Sequence, residues 1–122
     1  MSAIETETLD RIKRQISSNT VLLYMKGSPD FPMCGFSGRV IQILDALKAK
    51  YAYVNILENP EIRATLPVYA KWPTFPQLYI QGELIGGCDI VSELHQQGEL
   101  KSLLQNAQSL MDAKPEAVLA SE

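Results

Sequence analysis

The sequence predicts an α/β fold, a small mixed four-stranded sheet with helices on both faces. Three observations predict it. Two apolar segments, residues 21–26 and 51–56, flank a run with helical spacing, so they read as parallel strands joined by a right-handed crossover. Two shorter segments, 77–80 and 83–85, meet at Gln81-Gly82 as an antiparallel hairpin. Helix-period patterns precede, separate and follow these strands.

The elements follow in order. Leu9, Ile12 and Ile16 recur at helical spacing, which predicts an opening helix over 7–17. Residues 21–26 are apolar on both faces, as a buried strand is, and Gly27-Ser28-Pro29 ends them. A loop runs to Met33, and Val40, Ile43, Leu44 and Leu47 then mark one face of a helix from about Cys34 to Ala49. The next strand is rich in aromatic and β-branched residues. Asn59 is expected to cap a third helix, with Pro60 in its first turn and Glu61 complementing its dipole; it ends before Trp72-Pro73. After the hairpin, Asp89 is expected to cap a helix bearing Ile90, Val91 and Leu94. Gly98 interrupts it before a last helical turn or two with Leu100, Leu103 and Leu104. The order α-β-α-β-α-β-β-α is that of a thioredoxin-like domain.

At 122 residues the chain fits one domain, expected over 1–111, with a disordered tail over 112–122 around Pro115. Its composition, 46% hydrophobic and 20% charged, is that of a soluble globular protein. A net charge of −3 lacks the footprint of a nucleic-acid binder, so no nucleic-acid partner is expected. The longest apolar runs are too short to span a bilayer, so no membrane association is expected either. Glu5, Glu7 and Asp10, with no apolar stretch among them, fit neither a secretory signal nor an Arg-rich transit peptide; a cytoplasmic address is the expectation.

The metal arithmetic restricts the chemistry. Structural zinc takes about four Cys or His ligands, and this chain offers Cys34, Cys88 and His95. Any soft-metal site must borrow ligands from a second chain or a small molecule. Cys34 stands where a strand has ended and a helix begins, where unpaired N–H groups favour a thiolate. Lys26 can add positive charge. The alternative is a buried, inert cysteine, against which Gly35 and the loop prolines Pro29 and Pro32 argue.

Four motifs then stand in register. Cys34-Gly35-Phe36-Ser37 comes with Lys26-Gly27-Ser28-Pro29 upstream, Trp72-Pro73-Thr74-Phe75-Pro76-Gln77 in the middle and Gly86-Gly87-Cys88-Asp89 downstream. From about Val21 to Leu104 the chain resembles the monothiol glutaredoxins, in particular their short single-domain members. The resemblance implies the glutaredoxin variant of the fold, with Cys34 attacking glutathione mixed disulfides or ligating iron. It implies that Lys26 and Arg63 hold glutathione carboxylates, although a solvated helix charge is the ordinary reading of Arg63. Phe75, before a cis Pro76, would offer its backbone to the cysteine moiety like an added strand. Cys88 and Asp89 would meet the γ-glutamyl end; Asp89 can equally be a plain cap. Cys88 is open among a core residue, a redox partner of Cys34 and a backbone contributor to the tripeptide site, the last being favoured. Trp72 either shields the site or closes the core, and His95 is assigned no role.

Ser37 cannot resolve a mixed disulfide as the second thiol of C-x-x-C does. What remains is monothiol exchange with glutathione, or coordination. A [2Fe-2S] cluster takes four thiolates, and the resemblance implies that two chains and two glutathiones supply them in a cluster-bridged homodimer. It also implies pairing with a BolA-like protein and delivery to apo iron–sulfur proteins. The chain is thus expected to be mainly a cluster carrier, with weak glutathione-dependent oxidoreductase activity as the enzymatic alternative.

Overall fold

A computed structural model describes residues 2–111 and 114–120. Its elements are α1 (Ala3–Ser18), β1 (Val21–Met25), α2 (Gly35–Ala46), β2 (Lys50–Asn55), α3 (Pro60–Ala70), β3 (Gln77–Ile80), β4 (Glu83–Gly86), α4 (Cys88–Gln96), α5 (Glu99–Asn106) and β5 (Glu116–Leu119). The sheet order is β4-β3-β1-β2-β5. β1 runs parallel to β2 and antiparallel to β3, and β3–β4 is the expected antiparallel hairpin. This is the thioredoxin-like α/β arrangement the element order predicts.

The alternation of β1 divides the core into two layers. Val21, Leu23 and Met25 face α2, α4 and α5, packing on Val40, Leu44, Val91, Leu100 and Leu104. Leu22 and Tyr24 face the other way, onto Ile12 of α1 and Ile62 and Leu66 of α3. Helices therefore cover both faces, and the central strand reads as one apolar run because neither of its faces meets water. The phenol of Tyr24 is satisfied inside this layer, donating to Gln15 Oε1 at 2.8 Å. Among the described residues no helix is long and apolar enough to cross a membrane.

Three expectations need correction. The sheet has five strands rather than four, because residues 116–119 of the expected tail pair in parallel with β2. The outer edge of β2 carries backbone groups that need partners, and Glu116 N–H to Ala49 O at 3.0 Å and Ala120 N–H to Tyr53 O at 2.9 Å extend the pairing at either end. Residues 112, 113, 121 and 122 of that tail lie outside the described residues. The opening helix starts at Ala3 rather than residue 7: Ser2 Oγ accepts Glu5 N–H at 3.1 Å and Glu5 Oε1 accepts Ser2 N–H at 3.3 Å, a capping box placed ahead of the first buried residue.

The third correction concerns caps. Asn59 occupies the N-cap of α3 but makes no side-chain cap bond, since its oxygen accepts Arg11 Nη2 at 2.6 Å. Gly87, not Asp89, is the N-cap of α4, which leaves Asp89 in the first turn. There its charge still complements the helix dipole.

Candidate functional site

The crevice opens where β1 and β2 end side by side, the usual place for a site in an α/β sheet. Past Met25 the chain makes a miniature hairpin before α2. Gly27 bridges Pro32, Phe31 N–H donates to Ser28 O at 3.1 Å, and Met33 N–H donates to Lys26 O at 2.9 Å. Gly27 has φ +96°, and a Cβ there would lie 2.4 Å from Phe31 O and 2.7 Å from Met33 N. Glycine is required by the closeness of the two backbones as much as by its dihedral.

This hairpin delivers Cys34 to the N-cap of α2 in extended conformation. The thiol is partly exposed and free. Its pKa is held below the ordinary thiol value, first by the Ser37 backbone N–H, against a smaller opposing effect of burial. The Phe36 N–H, the Lys26 charge and the Ser37 hydroxyl add to the lowering. The N–H groups of Phe36 and Ser37, in the first turn of α2, thus favour the thiolate as the position at a helix terminus leads one to expect.

One cleft of about 470 Å³ brings together Lys26, Cys34, Arg63, Phe75, Cys88 and Asp89, the whole expected set. Lys26 leaves the end of β1, and Arg63 stands exposed at the start of α3. Between them and α4 runs the 73–76 segment, with the Phe75–Pro76 peptide cis. Gly87 brings α4 close to this segment: a Cβ on it would meet Pro76 O at 3.1 Å. The backbone N–H groups at the start of α4 are free of intrahelical partners by the geometry of a helix terminus, and Asp89 is exposed beside them.

Cys88 is half-buried, packs against the α2/α4/α5 core layer and holds its sulfur 4.0 Å from Ser92 Oγ. Trp72 is half-buried and its indole N–H has no protein partner. Among the described residues no three of His, Cys, Asp and Glu converge as one chain's own metal site would require. A cluster at Cys34 would take its remaining sulfurs from elsewhere.

Two features escaped sequence reasoning. Phe31, Met33 and Phe36 flank Cys34 in sequence and are 75%, 68% and 62% exposed, and Met33 and Phe36 line clefts that also include Cys34. Large apolar side chains in a Pro-rich loop ahead of a functional cysteine were the available signal. The second is Asn55, whose side-chain oxygen accepts the N–H groups of Gly27 and Leu57 beside the cleft.

The glutaredoxin family profile matches residues 21–85. Glutaredoxin 4 of Pasteurella multocida (strain Pm70) is 62% identical over 98 residues, covering 80% of this chain and 90% of that protein. Glutaredoxin 4 of Escherichia coli (strain K12) is 55% identical over 111 residues, 90% and 96% of the respective chains. The crystal structure of a buckwheat glutaredoxin–glutathione complex superposes with a TM-score of 0.80 at 26% identity, covering 91% of this chain and 99% of that one.

Proposed function

The chain belongs to the glutaredoxin family as a monothiol member, and from that premise we propose that it carries a [2Fe-2S] cluster, with glutathione, between two copies of itself and delivers it to apo-proteins. The observation that carries the reading is the state of Cys34. It is an accessible, acidified sulfur at the edge of a peptide-sized cleft, with a buried serine where a resolving thiol would stand.

The cleft fits glutathione by chemistry and by size, since ligand pockets run from about 300 to 1,000 Å³. Lys26 and Arg63 suit the glycine carboxylate, Arg63 through its planar fork. The Phe75 backbone suits the cysteine moiety as an added strand would. The N–H groups opening α4 suit the γ-glutamyl carboxylate, and Asp89 suits its ammonium. Gly87 keeps this floor open, because a side chain there would crowd Pro76 O.

Cargo binding follows from sulfur accounting. One chain gives Cys34, its glutathione gives a second thiolate, and a second such pair completes four. The exposed Phe31, Met33 and Phe36 favour a protein surface closing over the site, either another copy or a BolA-like protein in its place. A cluster held half by a diffusible tripeptide is exchangeable, which suits transfer to apo-proteins. Such chemistry belongs in a reducing compartment such as the cytoplasm.

The same thiolate supports a second reading, glutathione-dependent thiol transfer. Cys34 would attack the glutathione sulfur of a mixed disulfide, releasing the protein thiolate and leaving a Cys34–glutathione disulfide. A second glutathione would then displace the first as oxidised glutathione and return the Cys34 thiolate.

Anaerobic reconstitution with iron, sulfide and glutathione separates the readings. A coloured dimer that needs both glutathione and Cys34 is expected. Cluster of normal yield in Cys34→Ser would sink the carrier reading, and rapid mixed-disulfide turnover without cluster uptake would favour the transferase.

A further inference from the structure

Asn55 is the last residue of β2, and its polar atoms reach two walls of the cleft. The β1–β2 ladder ends at the Met25–Asn55 pair, where Ile56 N–H still donates to Met25 O at 2.9 Å. Beyond it the chains diverge, one into the Gly27 hairpin and the other toward α3. At that fork the Asn55 side-chain oxygen accepts the N–H of Gly27 at 2.9 Å and that of Leu57 at 3.0 Å. Its backbone carbonyl accepts the side-chain amide of Asn59 at 2.8 Å. Asn59 in turn accepts Arg63 N–H on its carbonyl at 3.0 Å.

Three hydrogen bonds thus lead from the residue after Lys26 to the backbone of Arg63. Asn59 is held from the far side as well, because Arg11 donates to its side-chain oxygen at 2.6 Å and pairs with Glu61 at 2.7 Å. On the hairpin side Gly27 is fixed by its bridge to Pro32 and by the Met33 N–H donated to Lys26 O at 2.9 Å. We propose that Asn55 is a positioning residue of the glutathione site: it clasps the exit of β1 to the start of α3 and so sets the spacing between Lys26 and Arg63. The assignment rests on the glutathione reading above. Asn55 is absent from the residues lining the cleft, so it acts through the two cations.

Oxygen is what the clasp needs, since both side-chain partners are N–H donors. Asn55→Asp keeps that acceptor, whereas Asn55→Ala removes it and leaves two N–H groups without their partner. The test is glutathione titration of the full chain by calorimetry, alongside amide exchange at Gly27 and Leu57 and iodoacetamide alkylation of Cys34. Asn55→Ala is expected to bind glutathione about tenfold more weakly, as misplacement of a binding group does, with faster exchange at both amides. Its Cys34 alkylation should change little, because the largest cause of the lowered pKa, the Ser37 N–H, belongs to α2 and the Lys26 charge ranks below both α2 N–H groups. Asn55→Asp should recover affinity to within about threefold. A general loss of structure would lower binding and thiol chemistry together, and Asp would not rescue it. Should Asn55→Ala not fold, Asn59→Ala keeps the Gly27 and Leu57 bonds, cuts the link to α3 together with the Arg11 bond, and is expected to weaken binding about threefold. Wild-type affinity in Asn55→Ala, or in Asn59→Ala where that variant stands in, overturns the clasp and leaves the proposed function intact. A wild-type protein that takes up no glutathione overturns the proposed function, and this assignment with it.

Discussion

Ser37 Oγ accepts the backbone N–H of Lys26 at 3.2 Å, so the hydroxyl three residues after Cys34 ties α2 to the exit of β1. The side chain is fully buried, and its own proton is left for the Cys34 sulfur. The serine is thus a brace that also contributes a small share of the thiol's acidity.

Ser37→Ala separates those two effects. Removing the acceptor should cost about 1 kcal/mol of stability in chemical denaturation, the value of one ordinary hydrogen bond. The pH profile of Cys34 alkylation should rise only slightly, because the largest lowering comes from the Ser37 backbone N–H, which alanine retains. A profile returning to that of an unperturbed thiol would show that the hydroxyl, not the helix terminus, holds the anion.

The lowered pKa also fixes the sign of a stability difference. A group whose pKa falls on folding binds protons less readily in the folded state, so its contribution is complete above the unfolded value. That contribution fades as pH falls through the folded value. Relative to Cys34→Ser, the wild type should therefore gain stability as pH rises from the folded to the ordinary thiol value, then level off. Paired denaturation curves across that window check it. Lys26→Gln should narrow the window from below, since the Lys26 charge is among the causes that lower the pKa.

How much of this was legible in the sequence depends on the range of the interaction. Five of the six candidate residues could be named because each lies within a short motif; Arg63 lies in none and came from the family resemblance alone, and one cleft gathers all six. Buried strands and helices were legible from apolar period, as at Ile12 and Val40. The caps misled because capping is a competition: Asn59 is the right residue type at the right place, yet Arg11, 48 residues away in sequence, engages its oxygen. β5 was hidden because its four residues are all exposed and its pairing is by backbone, leaving no alternation to read. Asn55 was invisible because its distant partner is a main-chain group, the Gly27 N–H at the exit of another strand.

Gly27 and Gly82 make a controlled pair. Both have positive φ, +96° and +81°, but a Cβ on Gly82 would meet nothing within 4 Å. Gly82→Ala should cost only the backbone penalty, about 1–2 kcal/mol. Gly27→Ala adds overlap with Phe31 O and Met33 N, so the hairpin that presents Cys34 must shift; about 3 kcal/mol or more is expected. Thermal denaturation ranks the two, and Cys34 alkylation should change in Gly27→Ala alone. Equal costs would mean that the hairpin yields freely.

Truncation after Met111 asks what β5 contributes. Val118 and Leu119 remain 46% and 66% exposed, so deletion gives up little apolar burial apart from Ala120, which packs near the Ile12 layer. What is lost is edge pairing along β2, whose other side stays bonded to β1. Stability should fall by no more than about 2 kcal/mol, because edge hydrogen bonds given up to water carry modest net value. Hydrogen exchange should quicken at the β2 amides that face β5 and stay unchanged through the β1–β3 ladder. The bared edge should also raise self-association at high concentration, measurable by sedimentation. Global unfolding of the truncated chain would instead make β5 part of the core sheet's cooperative unit, and its exposed side chains give no physical reason to expect that.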